Sequence, residues 1–158
     1  ADCYIEISGG TLLINADGDG GDSNGDLYVF GGETHVSGPT NAANGALDYA
    51  GTAKITGGIF IAAGSSGMAQ NFGNASTQGS ILYSTTSAQS GLVKLKDQAG
   101  NVIVSCEPEK QYNSVVISAP GIKQGATYTL EMGATTHSIT MSSLIYGSGM
   151  GVGSGRTR

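Results

Sequence analysis

The chain has no tryptophan, three prolines, two cysteines and only 12% charged residues over its 158 positions, where an average domain carries about 25% charge. Each shortage excludes something. Seven Lys and Arg residues against twelve Asp and Glu leave a net charge of −5. The basic residues are scattered apart from Arg156 and Arg158 at the end. Nucleic acid needs a clustered basic surface, so that partner class is not expected. No run approaches the roughly eighteen apolar residues of a membrane-spanning helix. No signal peptide is visible and the chain starts directly in strand-like sequence, so it reads as a processed or excised piece of a secreted or cell-surface protein. Cys3 and Cys106 lie too far apart in sequence for a thiolate metal site, which leaves one long-range disulfide or two buried thiols.

What is abundant is glycine, 27 residues or about 17% of the chain, against roughly 7% on average. Each glycine costs a helix about 1 kcal/mol relative to alanine, so an ordinary helical fold is excluded. The stretches between glycines are rich in Val, Ile, Leu, Thr and Tyr, the composition of short strands joined by tight turns rather than of a disordered chain.

An internal repeat organises the first part. Tyr4–Ile14, Leu27–Val36 and Ala53–Ala62 align on the pairs ending at Gly10, Gly32 and Gly58, which lie 22 and then 26 residues apart. Each unit reads strand, Gly-Gly corner, strand, loop. Side-chain alternation sorts the units into columns. Ile7, Val29 and Ile55 form one inward ladder; Leu12, Thr34 and Phe60, then Ile14, Val36 and Ala62, form two more. The opposite parity places Glu6, Tyr28 and Lys54 on one outer face, and Thr11, Glu33 and Ile59 with Leu13, His35 and Ile61 on another. The expectation is an all-β fold: a right-handed parallel β-helix of about three coils over residues 1–67, stacked so that only its two ends are open.

Residues 68–79 then read as a connecting loop, and 80–146 as a small antiparallel sandwich or cap. Six short strands are expected there, Ile81–Thr85, Leu92–Lys96, Val102–Cys106, Ser114–Ser118, Thr127–Met132 and His137–Met141, with a hairpin turn at Asp97–Asn101. A cap is needed because an uncovered terminal coil is an unpaired apolar edge. Residues 147–158, rich in glycine, read as a flexible tail.

The densest chemistry is acidic. Asp17, Asp19, Asp22, Asn24 and Asp26 fall within ten residues, separated by glycines. Asp22 lies nine residues before Gly31 and Asp48 nine before Gly57, so equal offsets stack Asp22 on Asp48 in adjacent coils. Two stacked carboxylates repel unless a cation lies between them, and no Lys or Arg is near in sequence. Calcium takes about six to eight oxygens, which carboxylates, an Asn amide and loop carbonyls supply; a solvated Asp/Gly turn is the alternative. Asp17, Asp19, Asp22, Asn24 and Asp48 are the candidate ligands. An EF-hand counted from Asp22 fails, because Leu27 stands where the loop needs glycine and no helices flank it. The nine-residue calcium repeat fails too, since its period does not recur.

Catalysis has little to build on. His35 and His137 sit in no nucleophile motif, and Gly64-Ser-Ser-Gly67 is not a nucleophile elbow. Lys54 is the only basic residue of the repeats, and its column neighbour Glu6 makes a surface salt bridge its expected role rather than that of a lyase base. Tyr28, Glu33, His35, Tyr49 and Lys54 form a candidate carbohydrate-binding face, with a plain polar surface as the alternative.

Five segments together resemble a known family: Gly18–Gly25, Ser37–Thr40, Asn44–Tyr49, Ala62–Gln70 and Tyr112–Ile117. They are similar to the C-terminal part of bacterial secreted carbohydrate-binding domain-containing proteins, whose fold is pectate-lyase-like, and the likeness covers nearly the whole chain. The resemblance implies a right-handed β-helix with bound calcium, located outside the cell or on its surface. It also implies affinity for acidic plant polysaccharide such as polygalacturonate, without established lyase activity. Asp19, Asp22, Asn24 and Asp48 fall in the family's acidic motifs. Gly21 departs from them, since relatives often carry a large aliphatic residue there, which implies a looser loop. The expected function is a non-catalytic calcium-binding, glycan-binding or adhesion domain. The competing expectations are a structural protein whose open coils stack into fibres, and a polysaccharide lyase.

Overall fold

The Gly-Gly repeats become layers of parallel strands. The computed structural model describes residues 3–147, which are all-β with no helix among them. The first repeat supplies β1 (Tyr4–Ile7), β2 (Thr11–Asn15) and β3 (Gly21–Ser23), and the second β4 (Asp26–Val29), β5 (Glu33–Ser37) and β6 (Leu47–Tyr49). The third supplies β7 (Ala53–Ile55) and β8 (Ile59–Gly64). β1-β4-β7 and β3-β6 are wholly parallel sheets, and β2-β5-β8 is the parallel part of a larger one. The register is the one the columns demand: Ile7 on Val29 on Ile55, Leu12 on Thr34 on Phe60, Ile14 on Val36 on Ala62.

The corner explains its two glycines. Gly10, Gly32 and Gly58 adopt φ of 77°, 82° and 82°, a left-handed conformation costing other residues about 1–2 kcal/mol. The glycine before each lets successive corners stack: a Cβ at Gly57 would lie 2.5 Å from the Phe30 carbonyl oxygen, and one at Gly31 2.7 Å from that of Ser8.

The second half contains the six expected strands, some with shifted ends, and a short seventh. They are β9 (Ser80–Gln89), β10 (Val93–Lys96), β11 (Val102–Cys106), β12 (Tyr112–Ser118), β13 (Thr127–Met132), β14 (Thr135–Thr140) and β15 (Ile145–Tyr146). The Asp97–Asn101 turn joins β10 to β11, with the Asp97 carboxylate accepting the Ala99 and Asn101 amides at 2.9 Å. The expected antiparallel strands do cover the last repeat, and they do so by joining its sheet. β12 pairs antiparallel with β8, and β9 with β12, so one six-stranded sheet runs β15-β9-β12-β8-β5-β2 through both halves. Only β11-β10-β13-β14 forms a second, independent antiparallel sheet.

The shared sheet therefore has two cores. One face carries Val36, Phe60, Ala62, Leu82 and Val116 into the space enclosed by the repeats, where Val29, Ile55, Leu27, Leu47 and Phe72 meet them. The other carries Ile61, Ala63, Ile81, Val115 and Ile117 against Val93, Leu95, Leu130, Met132 and Ile139 of the four-stranded sheet. Ile61, expected on an outer face, is buried, and Ile59 packs at the edge of the same core. Alternation within a strand distinguishes two faces but cannot say that both are covered.

Residues 68–79 do more than connect. Gly73 N–H donates to the Ala53 carbonyl at 2.8 Å, Thr77 N–H donates to that of Ile55 at 3.1 Å, and Ile55 N–H donates to Ser76 Oγ at 3.0 Å, so the segment closes the free edge of β7. Buried Gln78 donates to the Gly58 carbonyl and to Ser118 Oγ, both at 2.9 Å, and Phe72 meets Phe60 edge-on at 5.1 Å. At the opposite end of the stack no segment among the described residues makes such a closure. Ile5, Ile7, Leu12 and Ile14 line a cavity of about 280 Å³ there, and Thr34 Oγ1 is buried behind them without a hydrogen-bond partner.

The cysteines are not bonded to one another. Cys3 is exposed, contrary to the buried-thiol alternative, while burial beside the second core pushes the Cys106 thiol up to about 11. Among the described residues no helix is long and apolar enough to cross a membrane. The expected flexible tail lies, from residue 148 on, outside the described residues.

Candidate metal centre and aromatic face

Asp22 on β3 and Asp48 on β6 are in direct register, as the equal offsets required. Asp19 reaches them from the bend before β3, where Gly20 and Gly21 N–H donate to the Gly45 and Ala46 carbonyls at 3.2 and 2.9 Å. That close approach needs glycine, because a Cβ at Gly20 would lie 2.6 Å from the Ala46 oxygen. Asp19 Oδ1 accepts the Gly45 amide at 2.7 Å, which fixes its carboxylate across the two repeats. Asp19, Asp22 and Asp48 each offer an oxygen, and these oxygens lie within 4.8 Å of one another. Oxygens around one calcium at about 2.3–2.6 Å stand no more than about 5 Å apart, so the set matches a single coordination sphere.

The other two expected ligands are placed differently. Asp17 is fully exposed and turns to Lys110 Nζ at 3.2 Å, which also donates to the Ala16 carbonyl. No local basic residue was visible near this loop, but the segment before β12 brings one from 93 positions away. Asn24 is exposed in the bend after β3, a turn closed by Ser23, whose hydroxyl donates to the Asp26 carbonyl at 2.8 Å and accepts the Gly25 amide at 3.2 Å. Gly21 is not in a loop as expected; it is part of β3, opposite Leu47.

The expected carbohydrate-binding residues do not form one face. Glu33 and His35 share the outer side of β5, joined at 2.6 Å. Tyr49 lies on β6, half-buried, donating its hydroxyl to the Asn71 carbonyl, and burial raises its phenol pKa. Tyr28 and Lys54 share the outer face of β1-β4-β7, where Glu6, Tyr28 and Lys54 form one row. The expected Glu6–Lys54 salt bridge is absent among the described residues, since Tyr28 stands between them. Lys54 Nζ instead lies 5.5 Å from the Tyr28 ring centre and 5.6 Å from that of Phe30. The Tyr28 and Phe30 rings are parallel within 7° at 6.0 Å, and Tyr4 lies 5.9 Å from Tyr28.

Asp26, counted in the acidic run but not among the ligands, has a structural task. Its carboxylate accepts the Thr52 amide and the Tyr28 hydroxyl, both at 2.7 Å. Those bonds, the Thr52 one first, hold its pKa below the ordinary carboxylate value, and the same contact raises that of Tyr28. Tyr4 and Phe30 are not among the sequence-based site candidates, although their parity with Tyr28 is readable in the chain. No family model, no curated protein and no solved structure matches this chain.

Proposed function

We propose that this chain is a non-catalytic, calcium-stabilised binding domain for acidic glycans, built on a right-handed parallel β-helix whose coils are the three repeats. It acts outside the cell or at its surface. The observation that carries the metal reading is the convergence of Asp19, Asp22 and Asp48 across two repeats. Three carboxylates held this close repel, and a divalent cation with a preference for oxygen turns that repulsion into a link between coils. The glycan follows from the same chemistry: a calcium ion held near the surface by exposed Asp22 can also take a uronate carboxylate from a polymer. A binding rather than a catalytic role is supported by the engagement of the two cations: Lys54 lies on a different sheet from the carboxylates, and Lys110, which does reach the acidic loop, is held by Asp17 and the Ala16 carbonyl. Fibre formation by end-to-end stacking is less favoured. It needs two open ends, and residues 68–79 together with β12 close one of them.

Chelation tests the metal. Ligand bound at about one hundred times its Kd adds about 2.7 kcal/mol to stability, which for a chain of this size raises Tm by about 5–10 °C. Protein dialysed against calcium should hold the ion and lose that increment in EGTA. Asp22→Asn and Asp48→Asn should abolish both the bound calcium and the EGTA response. Metal-free protein with an EGTA-insensitive Tm would remove the reading.

A further inference from the structure

The outer face of β1-β4-β7 carries a feature that the carboxylate cluster does not use. Its side chains fall in rows: Tyr4 beside Asp26, then Glu6, Tyr28 and Lys54, with Phe30 beyond Tyr28 on the same side. Tyr4 is 60% and Phe30 41% exposed, an unusual display for large aromatic side chains in a protein with ten Phe and Tyr residues in all. Clustered exposed rings of this kind mark a binding surface more often than scattered ones do.

Three observations define what this surface suits. First, it is fixed. Tyr4 and Tyr28 stand on parallel strands, Phe30 directly follows β4 with its N–H bonded to the Ile7 carbonyl, and Tyr28 is held by its hydroxyl bond to Asp26, itself anchored to the Thr52 amide; a rigid platform loses little side-chain freedom on binding. Second, it carries one cation. Lys54 is the only Lys or Arg in residues 1–67, lies against two ring faces, and joins no ion pair among the described residues. Third, the charge is graded. Glu6 and Asp26 lie on the β1–β4 side of the Tyr28 ring and Lys54 on the β7 side, so an anion is drawn to one edge and repelled from the other.

We propose that Tyr4, Tyr28, Phe30 and Lys54 form a glycan subsite separate from the carboxylate cluster, taking the C–H face of a pyranose on the rings and a uronate carboxylate at Lys54. Ring faces are electron-rich and attract the weakly positive C–H groups of a sugar as they attract the ammonium. The ring of a uronate presents both features a few ångströms apart, whereas a neutral sugar offers only the first. The subsite rests on the acidic-glycan reading above and assigns it a second point of contact, one that works without metal.

The test is binding of the full chain to polygalacturonate and to its methyl-esterified form, in calcium and in EGTA. In EGTA the protein should still bind polygalacturonate, and Lys54→Gln should weaken that binding about tenfold. The same variant should leave binding to the methyl ester unchanged. Phe30→Ala and Tyr4→Ala should weaken both polymers several-fold, and Glu6→Gln should strengthen polygalacturonate binding a few-fold. Calcium content and Tm serve as folding controls throughout. Folded variants that bind polygalacturonate like the parent, while Asp22→Asn abolishes binding, would place the glycan on the metal and overturn this subsite alone. A parent chain that binds neither polymer in calcium or EGTA would overturn the subsite and the glycan function together.

Discussion

The two ends of the parallel stack are built from the same repeat and yet differ in almost every physical respect. At the third repeat Phe60, Ile61, Ala62 and Ala63 are all buried, because β12, the 68–79 segment and the four-stranded sheet cover every side. In the first repeat the equivalents Leu12 and Leu13 are 39% and 74% exposed, and Ile5, Ile7 and Ile14 are only half-buried. Thr34 reflects the difference at the scale of one atom: it lines the cavity at that end, and its buried hydroxyl finds no partner among the described residues. In a stacked fold, a residue's burial depends less on its own repeat than on whether another layer follows.

Truncating one inward column at both ends should expose this contrast most strongly. Phe60→Ala should cost about 3–5 kcal/mol, since the side chain is 2% exposed and packs edge-on against Phe72. Leu12→Ala, two layers away in the same column and 39% exposed, should cost only about 1.5 kcal/mol, three carbons at about 0.8 kcal/mol each reduced for that exposure. Urea denaturation of both variants measures this, and equal losses would mean that the first repeat is covered in solution.

The corners offer a smaller and cleaner comparison. Gly10 and Gly58 have nearly the same φ, 77° and 82°, but a Cβ at Gly10 meets nothing within 4 Å while one at Gly58 lies 2.6 Å from the Gly31 carbonyl carbon. Gly10→Ala should therefore show only the conformational cost, about 1–2 kcal/mol. Gly58→Ala should exceed it by at least about 1 kcal/mol, because the clash is with backbone that cannot move aside. A difference in urea midpoint with unchanged slope would confirm that stacking is what separates the two sites.

The smallest effect is electrostatic. Asp26 has a lowered pKa in the folded state, set first by the Thr52 amide and then by the Tyr28 hydroxyl. A depressed carboxylate contributes stability that is present above its unfolded pKa and is lost as pH falls through the folded one. Asp26→Asn should therefore flatten slightly the fall in Tm below about pH 4, near the unfolded carboxylate value, and change little at neutral pH beyond the loss of the bonds themselves. Melting curves between pH 6 and pH 2 would show it, and an unaltered acid limb would count against a role for Asp26 as a link between repeats.

Much of the first half was legible because stacking translates sequence offset directly into position. Equal distances from a Gly-Gly pair put Asp22 on Asp48, Leu12 on Thr34 on Phe60, and Glu6 on Tyr28 on Lys54. The second half was legible strand by strand, through its alternation and the Asp97–Asn101 turn, but not in its partners. Nothing in Tyr112–Ser118 states that it will pair with Ile59–Gly64 rather than only with its neighbours, because an apolar alternating strand fits many edges. That one pairing turned an expected cap into a continuation of the same sheet and buried Ile61.

Sequence alone thus determined the all-β class, the repeat, its corner glycines and the meeting of Asp22 with Asp48, all of which follow from local spacing and a backbone that tolerates positive φ only at glycine. Tertiary structure decided what distance along the chain hides. It removed Asp17 from the carboxylate cluster by supplying Lys110, divided the expected sugar-binding residues among three sheets, and set Lys54 over two aromatic rings rather than against Glu6. Those outcomes depend on which surfaces come together, and long-range pairing is chosen by burial summed over whole sheets rather than by any single residue.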